Sequence, residues 1–252
     1  MPDSQVEWSI TGSLGIIRLN RPEKLNALTH AMMGDIVDLC RSVRSSQDLR
    51  AVVFLGNGRS FCAGQDLKDS VKEEPVTDRL SRELREDMQS AIAELPQPTI
   101  VGLHGHVLGR GLMLALACDI RIASSDAKLG FPEVKFGIIP GGGGTQRLTK
   151  VVGPSRALHM VLTGESIDSD LAMQWGLVTK VVATEDLETE AIEIAQGIVS
   201  HPGSAAIYSK LTIGVAANTV LSEGVKFEKT LSALLTGGED WKRERERFEK
   251  ER

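Results

Sequence analysis

The sequence predicts an α/β protein, because short apolar strands alternate with segments of helical periodicity. Its 252 residues can bury a sizeable core, in one large domain or in a domain with an appendage. From residue 145 onward the pattern becomes mostly helical. We therefore expect a strand-containing core at residues 1–200 and a helical region at residues 201–252.

The first predicted elements are a hairpin, a loop and a helix. Apolar runs at residues 6–10 and 15–19 flank a turn-forming segment, and a polar loop follows at 20–24. Thr29 can cap a helix at its N-terminus. The apolar face of that helix comprises Met32, Met33, Ile36, Val37, Cys40 and Val43.

The remaining elements follow from apolar runs and the breaks between them. Further strands are predicted at residues 51–55, 99–103, 119–123, 128–131 and 177–182. One helix should present Leu80, Leu84, Met88, Ala91 and Leu95 on one face, and a second should span residues 112–117. Loops are predicted at 69–78 and 138–144, and the charged tail at 241–252 is typical of a solvated helix.

The composition argues against several classes of function. With 29 basic and 34 acidic residues the net charge is −5, which is unfavourable for binding nucleic acid or a membrane surface through bulk charge. Aromatic residues are only 4% of the chain, so platforms for base stacking are not expected. No apolar run approaches the roughly 18 residues of a membrane span, and the N-terminus lacks the pattern of a signal peptide. We therefore expect a cytoplasmic protein without nucleic-acid or membrane partners.

The cysteines point to the same compartment. Cys40, Cys62 and Cys118 are odd in number, widely spaced and without a CxxC pair. This pattern favours free thiols in a reducing environment. Each is most simply interpreted as a small buried hydrophobic residue.

Two glycine-containing turns could carry chemistry. Residues 60–67 follow one predicted strand, residues 105–111 follow another, and each turn precedes a predicted helix. Outward-pointing N–H groups from two adjacent turns would form a site for a developing oxyanion. For either turn alone, glycines that merely permit a tight turn are the simpler explanation. Nucleotide-binding motifs fail on spacing, because Leu114 replaces the third glycine of GxGxxG.

Glu133 is a candidate acid or base. It lies in the segment Phe131-Pro132-Glu133-Val134, and a carboxyl group in an apolar setting has a raised pKa. On this feature alone, an ordinary surface glutamate is the simpler interpretation. His104 and His106 form an HxH pair, which is weak evidence for a metal.

Taken together, these segments resemble the enoyl-CoA hydratase/isomerase superfamily, also called crotonases. The resemblance covers nearly the whole chain. It is carried by NRPEKLNAL at 20–28, FCAGQDL at 61–67, ACDIRIA at 117–123, FPE at 131–133, GIIPGGGGTQRL at 137–148, GESI at 164–167 and AMQWGLV at 172–178.

The resemblance implies a crotonase-like spiral of ββα units, with a C-terminal helical region that forms trimers or pairs of trimers. It also implies binding of acyl-CoA thioesters, whose oxygen would be held by the backbone N–H groups of Gln65 and Arg110. Coenzyme A enters as part of the substrate, and no metal or further cofactor is expected. We expect the Arg110 side chain to point outward, into solvent or a subunit contact.

The resemblance assigns further residues to the substrate and the CoA moiety. They are Lys24, Leu25, Ala27, Ala63, Gly64, Asp66, Leu67, Gly109, Met113, Pro132 and Gly141. Lys24 or Arg21 could pair with a CoA phosphate, or could be ordinary solvated charges. Asp66 more simply braces its own turn.

The sequence departs from the hydratases of this family at one position. They carry two glutamates, and here the first falls at Met113, which leaves only Glu133. Some members place an aspartate where this chain has Gly141. One carboxylate is enough to move a proton between C2 and C4, so we favour double-bond isomerisation over hydration or hydratase-lyase chemistry. A protein that binds acyl-CoA without transforming it is the alternative from another class, and a nucleic-acid-binding role is the least favoured.

Overall fold

The computed structural model describes residues 4–70, 75, 77–78 and 87–250. The strands are β1 (Val6–Thr11), β2 (Leu14–Leu19), β3 (Ala51–Gly56), β4 (Thr99–Leu103), β5 (His106–Leu108), β6 (Ile120–Ser124), β7 (Lys128–Gly130), β8 (Ser166–Asp168) and β9 (Lys180–Val182). The helices of the core are α1 (His30–Ser45), α2 (Leu67–Ser70), α3 (Met88–Ala93), α4 (Arg110–Ala117), α5 (Gly144–Val152), α6 (Pro154–Thr163), α7 (Ser169–Gln174) and α8 (Leu187–Ser200). Three more, α9 (Gly203–Ala216), α10 (Leu221–Thr236) and α11 (Glu239–Lys250), follow it, and short 3₁₀ turns lie at Pro22–Lys24, Pro132–Phe136 and Thr184–Asp186.

The described strands form two layers. The larger sheet has the order β1-β2-β3-β4-β6-β9, in which β1 and β2 are antiparallel and the later neighbours are parallel. The smaller sheet has the order β5-β7-β8. Isolated parallel bridges join Leu28 to Gln65 and Cys62 to Val107 beside it. The chain thus passes repeatedly from one layer to the other and then to a helix, which is the predicted spiral of ββα units.

Local sequence explains the first elements. In the β1–β2 hairpin, Thr11 pairs with Leu14 around Gly12, whose φ of 60° favours glycine. The Thr29 side chain accepts a hydrogen bond from the Met32 amide at 3.2 Å, which confirms the predicted cap of α1. The predicted face of α1 is also confirmed, because Met32, Ile36, Cys40 and Val43 are buried and Met33 and Val37 pack against the same core.

The larger sheet is covered on both faces, which explains the continuous apolar runs in its parallel strands. One face packs against α1, α3 and α4 in the main hydrophobic cluster. The opposite face packs against α8 through Leu187, Ala191 and Ala195. Neighbouring parallel strands end at the same edge of a sheet, so the turns that follow β3 and β4 lie next to each other.

Several predicted boundaries differ from the structure. β5 and β8 are three-residue strands too short to show a periodic pattern, and the strand predicted at 177–182 begins only at Lys180. The strand predicted at 128–131 is β7, which ends at Gly130. Half of the loop predicted at 69–78 lies outside the described residues; its first two residues belong to α2, and residues 77–78 are also helical. Leu80 and Leu84 also lie outside the described residues. Met88 and Ala91 are buried on α3 as predicted, whereas Leu95 is buried but follows the end of α3 at Ala93.

The C-terminal helices bury few residues. In α9–α11 the buried hydrophobic side chain is Leu231. Lys210 ties α9 to the core through Asp119, at 2.7 Å, and the Gln97 carbonyl, at 3.0 Å. Apolar side chains exposed on or next to these helices are Leu211, Ile213, Val220, Leu221, Leu234, Trp241 and Phe248. In the part of the chain that the structure describes, none of the helices combines the length and apolar character needed to cross a bilayer.

Candidate active site

The first turn follows β3 and is held in place by a buried asparagine. Asn26 accepts a hydrogen bond from the Arg21 amide at 2.7 Å and donates to the carbonyls of Asn57 and Ser60, both at 2.9 Å. Its φ of 55° is one that asparagine tolerates better than most residues. Sequence reasoning missed this role of Asn26, although an asparagine in a segment where the backbone reverses is a signal for it.

Pairing with Leu28 orients the backbone of Gln65. The Leu28 amide donates to the Gly64 carbonyl at 2.8 Å, and the Asp66 amide donates to the Leu28 carbonyl at 2.9 Å. In a parallel pair of this kind, the residue between those two partners directs its own N–H and C=O to the other side. The N–H of Gln65 therefore faces away from Leu28.

The second turn follows β4 and leads into α4. The Leu108 amide donates to the Cys62 carbonyl and the Gly109 amide to the Gly130 carbonyl, both at 3.0 Å. Gly109 has a φ of 50° and precedes Arg110, the first residue of α4, whose N–H has no acceptor inside the helix. A Cβ at Gly109 would lie 3.8 Å from the Gly64 Cα, so the two turns are in close contact.

The two candidate oxyanion donors are also joined through their side chains. Arg110 Nε donates to Gln65 Oε1 at 2.6 Å, and both residues are half-buried. The Arg110 side chain therefore reaches across to the first turn, while the expected contact with solvent or a neighbouring subunit stays a prediction. The sequence could not reveal this pairing, because 45 positions separate the two residues.

Glu133 is buried beside the start of α4. It lies on the 3₁₀ turn Pro132–Phe136 and is 9% exposed, so the interpretation as an ordinary surface glutamate is wrong. A Cβ at Gly109 would lie 2.9 Å from Glu133 Oε1, which places the carboxylate against that glycine. In the described ranges Oε2 is buried without a hydrogen-bond partner. Burial raises the pKa of the Glu133 carboxyl above its usual range, and the positive charge of Arg110 partly opposes this shift.

Met113 lies one helical turn further along α4. Its amide donates to the Gly109 carbonyl at 2.9 Å, and its side chain is 3% exposed. A Cβ at Gly144 would lie 3.2 Å from Met113 Cγ and 3.3 Å from Phe131 Cζ. Met113 thus forms an apolar wall with the loop that precedes α5. Of the other predicted residues here, Pro132 is half-buried and Gly141 is exposed.

The residues assigned to the CoA moiety line the approach to the first turn. The Ala63 amide donates to the Leu25 carbonyl at 2.9 Å, and Leu25 has a left-handed φ of 51°. Lys24 and Leu67 are exposed, and Ala27 and Ala63 are half-buried. The structure thus gathers these residues around the turn, while their contact with CoA stays a prediction.

Arg21 and Asp66 have structural roles here. Arg21 Nη1 donates to Asp66 Oδ2 at 2.6 Å and to the Ala27 carbonyl at 3.1 Å. Asp66 Oδ1 also accepts from the Lys68 amide at 2.9 Å, which confirms that Asp66 braces its own turn. The hydrogen bond from Arg21 lowers the pKa of Asp66. Because Arg21 is committed to Asp66, Lys24 is the better candidate for a CoA phosphate.

The cysteines are buried, and His104 contacts a backbone carbonyl group. Cys40, Cys62 and Cys118 are buried and form no disulfide among the described residues, as predicted, and burial raises the pKa of the Cys62 thiol to about 12. His104 Nε2 lies 3.0 Å from the Gly58 carbonyl oxygen. Among the described residues, no group of three or more His, Cys, Asp or Glu side chains is placed to hold a metal ion.

Comparison with known proteins places this geometry in a family. Residues 9–252 match the family model for enoyl-CoA hydratase/isomerase. A probable mitochondrial enoyl-CoA hydratase of Dictyostelium discoideum is 35% identical, with 92% of this chain and 83% of the relative covered. A probable enoyl-CoA hydratase of Mycobacterium tuberculosis is 37% identical, with 86% and 84% covered. The crystal structure of enoyl-CoA hydratase from Bacillus anthracis superposes with a TM-score of 0.92 at 34% identity, covering 99% of this chain and 97% of that one. The chain therefore belongs to the enoyl-CoA hydratase/isomerase family, the crotonases.

Proposed function

We propose that this protein transforms enoyl-CoA thioesters through an enolate-like anion. Glu133 is the proton shuttle, and the backbone N–H groups of Gln65 and Arg110 hold the thioester oxygen. The observation that carries the proposal is the buried Glu133 carboxylate, with its raised pKa, against Gly109. Membership of the family supports the substrate class.

The oxyanion donors are needed because a proton next to a thioester is too weakly acidic for a free carboxylate to remove quickly. A preorganised donor contributes roughly 3 kcal/mol to the stability of the developing anion. The N-terminus of α4 adds its partial positive charge at Arg110. Both turns supply the donors from the backbone, so the Gln and Arg side chains are compatible with this role.

We favour double-bond isomerisation as the reaction. Glu133 removes a proton from C2 of a 3-enoyl thioester, and the electron pair of that C–H bond delocalises onto the thioester oxygen as a dienolate. The same carboxyl group then returns a proton to C4, which leaves the double bond between C2 and C3. One base near both carbons is sufficient, and the apolar Met113 adds no second one.

Hydration is the second candidate, because the relatives named above are probable enoyl-CoA hydratases. In that reaction Glu133 would have to activate the water and also protonate C2. Hydratase-lyase chemistry would require the same double use of one carboxyl group. A non-catalytic acyl-CoA-binding protein is the alternative suggested by Met113.

Proton NMR in deuterated water separates these reactions. The protein is incubated with 3-enoyl-CoA and, separately, with 2-enoyl-CoA. Migration of the double bond with deuterium at C2 or C4, and with no hydroxyacyl product, is the expected result. A 3-hydroxyacyl product would identify a hydratase instead. Tight binding of both esters without any product would support the non-catalytic alternative.

We further propose that residues 201–252 contact neighbouring subunits in a homotrimer or hexamer. The apolar side chains that α9 and α10 expose, including Leu211, Ile213 and Leu234, support this role. Light scattering coupled to size exclusion would give three or six times the chain mass of 27.2 kDa, and a monomer would contradict the proposal. A cytoplasmic location and the lack of a cofactor other than substrate CoA stay predictions.

A further inference from the structure

Gln89 carries a buried amide that the proposed chemistry does not use. It lies on α3 and is 0% exposed. Within the described ranges, neither its Oε1 nor its Nε2 has a hydrogen-bond partner. By contrast, the buried Gln97 still donates through Nε2 to the Val43 carbonyl at 2.9 Å. Because buried polar groups are nearly always hydrogen-bonded in native proteins, a side chain with both polar atoms unpartnered indicates a site for a ligand.

The amide of Gln89 lies against the glycine-rich loop before α5. A Cβ at Gly142 would lie 3.2 Å from Gln89 Oε1 and 3.3 Å from Nε2. Two residues further on, Gly144 stands in the same relation to Met113. Helix α3 also packs against α4, which carries Met113. Gln89 and Met113 therefore contact the same loop.

Glu133, Met113 and Gln89 follow one another in the direction of helix α4, starting from the proposed position of the thioester. Gly109 contacts Glu133, Met113 follows one helical turn later, and Gln89 contacts the loop next to Met113. One turn advances about 5.4 Å, which corresponds to roughly four carbon–carbon bonds of an extended chain. An acyl chain with its thioester at Gly109 and its next carbons along Met113 would bring its later carbons toward Gln89.

The solvent-open depression beside this loop does not satisfy the amide. That depression is lined by Asp87, Ser90, Gly142, Gly143, Gln146, Arg147 and Lys150, and Gln89 does not line it. The positively charged side chains of Arg147 and Lys150 line this depression, and Arg147 Nη1 donates to the Gly142 carbonyl at 2.9 Å. The amide of Gln89 is therefore buried and does not open into the depression that Arg147 and Lys150 line.

We propose that Gln89 determines substrate specificity by hydrogen bonding to a hydroxyl or carbonyl oxygen on the acyl chain beyond C4. This inference rests on the acyl-CoA function proposed above. A neutral amide offers one acceptor and two donor hydrogens, so it pairs with a neutral oxygen group and neutralises no charge. A purely hydrocarbon chain leaves the amide unpaired, and a site built to hydrogen-bond its ligand discriminates against such an analogue.

The test is a binding measurement that needs no turnover. Isothermal titration calorimetry compares octanoyl-CoA with octanoyl-CoA esters that carry a hydroxyl group at carbon 5, 6, 7 or 8. These saturated esters can be neither isomerised nor hydrated. We expect the wild-type protein to bind at least one hydroxy ester roughly tenfold more tightly than octanoyl-CoA. Gln89→Leu should lose this preference, whereas Gln146→Leu, on the exposed side of the loop, should keep it.

Three results would overturn the proposal. They are equal binding of all the esters by the wild-type protein, a preference that survives in Gln89→Leu, and tighter binding of octanedioyl-CoA, whose terminal carboxylate would point to Arg147 or Lys150. If Gln89→Leu does not fold, the wild-type series can still overturn the proposal, because equal binding of all the esters contradicts it. If no CoA ester binds at all, the acyl-CoA function itself fails, and that outcome differs from equal binding.

Discussion

The 3₁₀ turn that carries Glu133 and the helix that carries Met113 form two chemically different sides of the same site. Glu133 is a carboxylate with a buried oxygen that lacks a partner within the described residues, and its pKa is raised. Met113 is a buried thioether packed beside Gly144 and Phe131. Acid–base capacity is therefore concentrated on one side, while the other side offers only shape. This asymmetry leads us to favour isomerisation over hydration.

The largest expected effect follows from removing the carboxylate. Glu133→Gln keeps the size of the side chain but cannot accept a proton, so turnover should fall about a thousandfold. Binding of saturated CoA esters should change less than about threefold, since the proposed donors to the thioester oxygen are backbone groups. Stopped-flow assays and calorimetry measure the two quantities. A Glu133→Gln variant with near wild-type turnover would exclude Glu133 as the shuttle.

The contact between the two sides is broken by Gly109→Ala. The new Cβ would meet Glu133 Oε1 at 2.9 Å, in a backbone conformation with a φ of 50°. Displacement of the carboxylate and of the first turn of α4 should lower kcat/KM about a hundredfold. Gly176→Ala is the matched control, because its φ is 74° but no atom lies within 4 Å of the new Cβ. Equal activity losses in the two variants would show that backbone strain alone is responsible.

Met113→Glu removes the asymmetry by placing a carboxyl group on the apolar side. If hydration is limited by the lack of a second acid–base group, the ratio of hydration to isomerisation should rise roughly tenfold. The products are counted by the NMR assay described above. Met113→Gln adds polarity without acid–base capacity and should leave the ratio unchanged. An equal rise in Met113→Gln would show that the added polarity, and not a second acid–base group, changes the ratio.

Arg110 connects the two turns and acts electrostatically on Glu133. Its positive charge lowers the pKa of that carboxyl, so Arg110→Gln should move the acid limb of the kcat/KM profile to higher pH. Arg110→Lys keeps the charge but loses the Nε–H donor to Gln65. It should leave the acid limb nearly in place, and an equal shift in both variants would contradict a charge effect.

The smallest expected effect concerns stability. Because burial raises the pKa of Glu133 in the folded state, its contribution to stability is present below the unfolded-state pKa and is lost as pH rises through the folded-state pKa. Glu133→Gln should therefore raise the melting temperature by about 2–4 °C at pH 8. The gain should shrink toward pH 4, where the wild-type carboxyl is protonated. A gain independent of pH would show that ionisation is not the cause.

Local patterns predicted most of the elements, and in some cases their ends. The Thr29 cap, the face of α1, the β1–β2 hairpin and the buried cysteines are each encoded within a few neighbouring residues. Short strands such as β5 and β8 escaped prediction, because three residues are too few for periodicity and their pairing partners lie far along the chain.

The sequence by itself determined the α/β class and the two glycine-containing turns. It also determined that Glu133 is the one candidate catalytic glutamate and that a methionine stands at position 113. Only the tertiary structure decided that Glu133 is buried, that Arg110 binds Gln65, that Asn26 anchors the first turn and that the amide of Gln89 is unpartnered within the described residues. The physical reason is that burial and hydrogen bonding depend on groups brought together by the spiral from distant positions, whereas capping, turns and periodicity depend on adjacent residues.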